Sequence, residues 1–159
     1  MNIGFTGTQR GMTVKQQDAF EIEICSLLFA SDYDCIFHHG VCIGADEEAH
    51  FLVYNCGLDW RYLYPPINTD KMSDKILNDG YSFVKSSDPS SVPAIKIHEP
   101  KDYLERNKDI VNASDVLIVV PGEFTEQLRS GTWSTYRYAK KKSVPRIIIF
   151  PDGTVKEEK

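Results

Sequence analysis

The segment DVLIVV at positions 115–120 constrains the fold more than any other part of this sequence. Its five consecutive apolar residues are followed at once by Pro121 and Gly122. An uninterrupted apolar run of this length is typical of a strand in a parallel sheet whose two faces are both covered. The run therefore predicts an α/β fold in which helices pack on both sides of the sheet.

Strand patterns and helix patterns alternate along the rest of the chain. Residues 2–7, 34–39, 60–64, 94–98, 115–120 and 146–150 have strand character, and helices are predicted from about Thr13 and over 45–55, 101–112 and 132–142. Thr13 is the predicted N-cap of the first helix, with Gln16 completing a capping box. Residues 67–93 have weak periodicity and are interpreted as an irregular excursion. The alternation predicts one α/β domain over residues 1–155, with a mostly parallel sheet of five to six strands, and a solvated tail at 156–159.

Composition excludes several classes of protein. The 159 residues carry a formal net charge of −5, so there is no general basic field for nucleic acid or an anionic membrane. The sequence has neither an apolar run near the roughly 20 residues of a membrane span nor a signal peptide, so a cytoplasmic location is expected. None of the four cysteines forms a C-x-x-C pair, which favours free thiols over a zinc knuckle.

Three glycine-bearing turns follow predicted strands and lead into predicted helices. They are GTQRG at 7–11, HGVCIGAD at 39–46 and RSGT at 129–132. Helix N-termini attract phosphate through free N–H groups and the helix dipole, and Arg10 and Arg129 add guanidinium groups. For any one turn, a tight connection between strand and helix explains the glycines as well as phosphate binding does. Three such turns at one sheet edge favour an anionic ligand, although neither a P-loop nor a nucleophile elbow is present.

A cluster of His38, His39, Cys42, Asp46 and His50 invites comparison with a metal site. Neighbouring strand residues point to opposite faces, so His38 and His39 cannot easily share one ion. No H-E-x-x-H motif is present, and no metal is expected. Asp46, in the first turn of a helix, is interpreted as a capping group or as an acceptor for a ligand hydroxyl.

Four motifs together resemble the SLOG superfamily of Rossmann-like proteins. They are GFTGTQRGM after the first strand, HHGVCIGADEEAH after the second, YLERNKDIV before the apolar strand and RSGTWSTYRYA after it. The superfamily groups cytokinin-activating LOG enzymes, lysine-decarboxylase-like proteins, DprA-like proteins and sensors of signalling nucleotides. The resemblance covers nearly the whole chain and looks closest to a small stand-alone group from bacteria and their phages.

The resemblance carries over to LOG enzymes only in part. Their loop PGGxGTxxE binds a phosphoribosyl group, and its glutamate acts with an arginine on the preceding helix to cleave an N-glycosidic bond. Gly131 and Thr132 match the Gly-Thr of that loop, Arg106 matches the arginine, and the glutamate position falls on Thr135. A hydroxyl cannot do the work of a carboxylate at neutral pH. Three acids could substitute, namely Glu105, Glu123 and Glu126.

The resemblance thus implies a binding protein for a phosphorylated ribose ligand: a nucleotide, ADP-ribose or a cyclic ADP-ribose. It would act as a receptor or a sequestering sponge for a signalling nucleotide, in a setting such as phage–bacterium conflict, as a homo-oligomer and without a required cofactor. The alternatives are a LOG-like phosphoribohydrolase and a DprA-like nucleic-acid binder, the latter disfavoured by the acidic charge. Trp133 is expected either in the core or stacked on the base. The residues expected at the ligand site are Gly7, Thr8, Gln9, Arg10, Gly11, Gly40, Gly44, Ala45, Asp46, Arg106, Asn107, Pro121, Arg129, Ser130, Gly131, Thr132 and Trp133.

Overall fold

The computed structural model describes residues 1–79 and 95–159. The strands are β1 (Asn2–Gly7), β2 (Ile36–His39), β3 (Arg61–Leu63), β4 (Ile95–Ile97), β5 (Val116–Val120), β6 (Arg146–Ile149) and β7 (Val155–Glu158). The helices are α1 (Val14–Ala30), α2 (Ala45–Asn55), α3 (Tyr103–Asn112) and α4 (Gly131–Lys141), and residues 74–79 are also helical. No helix in the described ranges has the length and apolar character needed to cross a lipid bilayer.

These strands form one sheet in the order β4-β3-β2-β1-β5-β6-β7. All neighbouring pairs are parallel except β6 and β7, which are antiparallel. The chain builds outward from β1 on one side through β2, β3 and β4, and then returns to pair β5 with the other side of β1. The strand order therefore reverses between β1 and β5, and this is where open α/β sheets form ligand crevices.

The prediction of an α/β domain with a mostly parallel sheet is confirmed, and the architecture is Rossmann-like. One correction concerns the C-terminus. Residues 156–158 belong to β7, whose register pairs Val155 with Ile149 and Glu158 with Arg146, so the expected solvated tail is wrong. The strand was not predicted because a charged edge strand lacks the apolar alternation by which strands are recognised in a sequence.

Both faces of the sheet are covered, as the apolar run of β5 predicts. Every residue of β5 is buried. On the face covered by α1 and α2, Phe5, Phe20 and Phe37 pack with ring centroids 5.5–6.2 Å apart. On the other face, Leu117 and Val119 pack in a second cluster with residues of α3 and α4.

The start of α1 follows its sequence signal closely. The Thr13 hydroxyl accepts a hydrogen bond from the Gln16 N–H at 3.1 Å, and the Gln16 side chain accepts one from the Thr13 N–H. The predicted capping box is therefore confirmed. Part of the irregular excursion predicted at 67–93 is helical at 74–79, and its remainder from residue 80 lies outside the described residues.

Candidate functional site

A cleft of about 570 Å³ opens at the carboxyl edge of the sheet beside the β1–β5 reversal. This volume is in the range of small-molecule sites, roughly 300–1,000 Å³. Three segments that are distant in sequence enclose it: the loop after β1, the segment after β3, and the turn into α4. Its lining residues are Gly7, Thr8, Gln9, Arg10, Cys42, Pro66, Asn68, Asp70, Lys71, Tyr103, Glu123, Arg129, Ser130, Gly131 and Thr132.

The loop after β1 uses most of its backbone N–H groups internally. The N–H of Thr8 donates to Val120, that of Gly11 to the carbonyl of Thr8, and that of Arg10 to the Thr8 hydroxyl. The next N–H, of Met12, donates to the Glu48 carboxylate at 2.5 Å. The loop thus offers a ligand fewer donors than its glycines suggest. Its contribution to the cleft is the surface formed by Thr8 and Gln9, and the Arg10 side chain.

The N-terminus of α4 is the helix end that opens on the cleft. Ser130 caps it by accepting a hydrogen bond from the Trp133 N–H at 3.3 Å. The N–H groups of Gly131 and Thr132 have no acceptor among the described residues, and no acidic residue lies in the first turn. Free donors and an uncompensated positive dipole end favour an anion at this point.

The N-terminus of α2 has the opposite character. Asp46, Glu47 and Glu48 occupy its first turn, so the positive end of the dipole is already neutralised. The Asp46 carboxylate accepts hydrogen bonds from the N–H groups of Gly40 and Cys42, both at 3.1 Å. Burial raises the pKa of Asp46 to about 6, although the nearby Arg106 opposes this shift. Asp46 therefore fixes the loop after β2 and does not line the cleft.

The charges that face the cleft are mostly cationic. Arg10 forms an ion pair with Glu123, and both side chains are partly exposed. Lys71 and Arg129 also line the cleft and pair with no acid in the described residues. Asp70 is the other carboxylate of the lining. The cleft consequently has two unpaired cations, and one of them, Arg129, directly precedes the capping residue of α4.

Tyr103, Cys42 and Arg106 lie together at the base of the cleft. Nη2 of Arg106 donates a hydrogen bond to the Cys42 sulfur at 3.1 Å, and its guanidinium carbon is 4.5 Å from the centroid of the Tyr103 ring. Arg106 is only 3% exposed, and its Nε has no partner in the described chain. Burial raises the pKa of Tyr103 to about 12, so its hydroxyl stays protonated and remains able to donate. Arg106 supports the cleft from below rather than lining it.

Of the two expected positions of Trp133, the structure shows the one in the core, and Thr135 is buried as well. Trp133 is 3% exposed and packs edge-on against Tyr136 in the core, so it presents no surface for stacking on a base. Thr135, at the position of the family glutamate, is also 3% exposed, and its hydroxyl donates to the Gly131 carbonyl within α4. A helix that begins at the cleft turns these two side chains inward within its first turns.

Nine of the expected site residues do not line the cleft. They are Gly11 and Gly44, which are half-buried, and the buried Gly40, Ala45, Asp46, Arg106, Asn107, Pro121 and Trp133. Gly44 has a φ of +84°, and a Cβ there would overlap the backbone of Gln9, so the glycine permits close packing of two loops. Pro121 accepts a hydrogen bond from the buried Gln16 amide at 2.8 Å.

His39 and His50 form a buried chain of hydrogen bonds. The Val41 N–H donates to Nδ1 of His39, so the proton of neutral His39 is on Nε2, which lies 2.9 Å from Nδ1 of His50. Nε2 of His50 in turn lies 2.9 Å from the Asp79 carboxylate, which Arg61 also contacts at 3.2 Å. The described residues contain no group of three or more His, Cys, Asp or Glu side chains arranged to hold a metal ion.

Sequence reasoning missed several residues of the cleft. Asn68, Asp70 and Lys71 follow β3 within the segment interpreted as irregular, and Tyr103 begins α3. The available signal was the double proline that ends β3, because residues after each strand of a parallel sheet meet at its carboxyl edge. No protein-family model matches this chain, and a search of curated proteins likewise gave no match.

Proposed function

We propose that this protein binds a phosphorylated ribose ligand, such as a nucleotide, ADP-ribose or a cyclic ADP-ribose, in the cleft at the carboxyl edge of the sheet. It acts as a receptor or sequestering protein for that ligand. The observation that carries this proposal is the N-terminus of α4. Two free N–H groups, those of Gly131 and Thr132, open there on a cleft large enough for a nucleotide.

The cations of the cleft support the choice of a phosphate. Arg129 precedes the capping residue of α4, and Lys71 also lines the cleft. A phosphate at the helix end would receive backbone hydrogen bonds and charge-assisted hydrogen bonds from Arg129. The hydroxyls of Thr8 and Thr132, and the carboxylate of Asp70, are suitable partners for ribose hydroxyls.

Binding without turnover is favoured by what occupies the catalytic positions of the resembling enzymes. The residue at the glutamate position, Thr135, is buried and bonded within its own helix. The matching arginine, Arg106, is bonded to Cys42 beneath the cleft. Neither side chain lines the cleft.

A phosphoribohydrolase is the second candidate, and one observation favours it. Of the three acids considered as substitutes for the missing glutamate, Glu123 lines the cleft, whereas Glu126 pairs with Arg137 and Glu105 with Lys108. Hydrolysis would then require Glu123 to leave its ion pair with Arg10.

Calorimetric titration with AMP, NAD, ADP-ribose and cyclic ADP-ribose tests the proposal. We expect saturable heat with at least one of them and recovery of unchanged ligand after heat denaturation. Arg129→Ala should weaken that binding by about 1.5–3 kcal/mol, the usual value of a hydrogen bond to a charged group. Lys140→Ala, which removes an exposed cation from the last turn of α4, is the control and should bind normally. Absence of heat with all four ligands contradicts the proposal, and steady release of free base supports the hydrolase.

A further inference from the structure

The loop between β5 and α4, residues 121–130, carries two residues of the cleft lining. Glu123 lies near its start, and Arg129 lies next to its end. The loop contains neither helix nor strand, and residues 124–129 are all exposed, Leu128 to 87% of its surface. Burial in the core therefore contributes little to holding residues 124–129 in place.

A single side chain of α4 holds the second half of this loop. Nη1 of Arg137 donates hydrogen bonds to the Glu126 carboxylate at 2.9 Å and to the Gln127 carbonyl at 3.2 Å. Nη2 of Arg137 donates to the Leu128 carbonyl at 3.1 Å. Among the described residues, no other hydrogen bond joins residues 126–129 to another part of the protein. The position of these four residues therefore depends on one guanidinium group.

The hydrogen bond to the Leu128 carbonyl acts directly on Arg129. A peptide unit is planar, so a fixed Leu128 carbonyl also fixes the N–H of Arg129, which lies in the same plane. On the other side of Arg129, Ser130 is the N-cap of α4. The backbone of Arg129 is thus held between an anchored peptide unit and a helix end, while Arg129 lines the cleft.

We propose that Arg137 is a positioning residue, which holds the backbone of Arg129 so that the Arg129 guanidinium is in place in the cleft before an anionic ligand binds. This inference rests on the proposed function, because it assigns the phosphate contact to Arg129. Arg137 does not line the cleft, so it acts on the ligand only through Arg129. Ordering Arg129 in the free protein removes part of the entropy that ligand binding would otherwise cost.

The contacts of residue 137 require a guanidinium group and not only a positive charge. The two terminal nitrogens of Arg137 reach two successive backbone carbonyls, those of Gln127 and Leu128. The planar guanidinium keeps its donors in fixed directions, whereas a lysine ammonium is a single point charge on a flexible stem. Arg137→Lys should therefore keep the charge and the helix propensity of α4 but lose most of the restraint on the loop.

Limited proteolysis of the ligand-free protein tests the restraint without reference to a ligand. Trypsin cleaves after Arg129 only when the loop opens far enough to enter the protease, so the initial rate of this cleavage reports loop opening. We expect Arg137→Ala and Arg137→Lys to be cleaved after Arg129 several-fold faster than the wild-type protein. Cleavage after Lys71, which lies in a different segment of the cleft lining, is the internal control and should not change.

Calorimetric titration with AMP, NAD, ADP-ribose and cyclic ADP-ribose tests the effect on binding. Arg137→Ala and Arg137→Lys should both bind about two- to tenfold more weakly than the wild-type protein, which is the cost of ordering one side chain on binding. Arg129→Ala removes the group on which Arg137 acts, so the double variant Arg129→Ala, Arg137→Ala should bind as Arg129→Ala does. Lys140→Ala, which removes another cation of α4, is the control and should bind normally.

The outcomes separate this inference from the proposed function. Circular dichroism and urea unfolding verify that each variant is folded. Normal affinity of Arg137→Ala, full recovery with Arg137→Lys, or unchanged cleavage after Arg129 would contradict the inference alone. A further loss of affinity in the double variant would show that Arg137 acts by another route, and would also overturn it. If the wild-type protein binds none of the four ligands, the proposed function fails and the inference fails with it.

Discussion

The guanidinium group of Arg106 occupies the space that a side chain on Gly40 would fill. A Cβ at residue 40 would overlap Nη1 of Arg106, whose Nη2 donates to the sulfur of Cys42. The glycine after β2, which the sequence associated with a ligand, thus makes room for a buried cation. That cation in turn supports Cys42 at the base of the cleft.

Replacing Gly40 with alanine should destabilise the protein by about 1–3 kcal/mol, because the added methyl group must displace a buried guanidinium. Urea unfolding measures the loss. Arg106→Ala creates the space that the methyl group needs, so the double variant should lose less than the sum of the two single variants. Additive losses would show that Gly40 and Arg106 are not coupled.

A proline at residue 131 should remove one of the two free N–H groups of α4. Proline suits the first position of a helix, and Ser130 already has the extended backbone, φ −117° and ψ 130°, that a residue before proline adopts. Gly131→Ala is the matched control, because it adds the same Cβ near the Tyr103 ring and keeps the N–H. We expect the proline variant to bind nucleotide about tenfold more weakly than the alanine variant, as for one lost hydrogen bond to a charged group. Equal affinities measured by calorimetry would exclude this N–H from the phosphate site.

Glu123→Gln distinguishes the two candidate functions. In a receptor, the change releases Arg10 from its ion pair and removes a negative charge from the cleft, so affinity for an anionic ligand should rise a few-fold. In a hydrolase that uses this carboxylate, turnover should fall by about 10²-fold or more. Titration and product chromatography report the two outcomes. Glu126→Gln, which alters a pair with Arg137 outside the cleft lining, should change neither quantity.

The buried histidines should make stability fall in weak acid. Burial lowers the pKa of His38 and of His50 to about 4, from an ordinary 6.5. Between these values the unfolded chain binds protons that the folded chain does not, so stability decreases as the pH drops from 6.5 to 4. Asp46 acts in the opposite direction, because its raised pKa of about 6 lets the folded state take up a proton first.

The histidines outnumber this carboxyl group, since burial also lowers the pKa of His39 well below its usual range. Urea unfolding at pH 7, 5.5 and 4.5 should therefore give decreasing free energies of unfolding. Asp46→Asn removes the opposing contribution, so its stability should decline more steeply over the same range. A variant that follows the wild-type slope would contradict the role assigned to Asp46.

The fold could be predicted because its signals are local. The apolar run at 116–120 specifies a buried strand by itself. The Thr13–Gln16 capping box likewise lies within a single helical turn. The charged strand β7 escaped prediction because it is specified by pairing with β6 and not by its own pattern. Local patterns thus identified the sheet and missed its last edge.

The candidate site was predictable for residues in the turns that connect strands to helices, Arg10 and Arg129 included. The turns containing Thr8 and Gly131 line the cleft because they follow neighbouring strands. The direction of a side chain depends on helix phase and on distant partners. Trp133 lies only two residues after Gly131, yet its side chain packs in the core. Lys71 lines the cleft although its segment has no regular sequence pattern. A single sequence reveals neither the phase of a helix nor the distant partners of a side chain.

β7 also protects the rest of the sheet from unwanted association. Its inner neighbour β6 presents Ile147, Ile148 and Ile149 in succession, and β7 satisfies the outer backbone groups of that strand. With charges along its own length, β7 is a poor template for a further strand. A truncated chain that ended after Pro151 would expose β6 as an apolar edge strand with unpaired backbone N–H and C=O groups, to which other molecules could bind. Preparations of this protein should therefore keep the eight residues after Pro151.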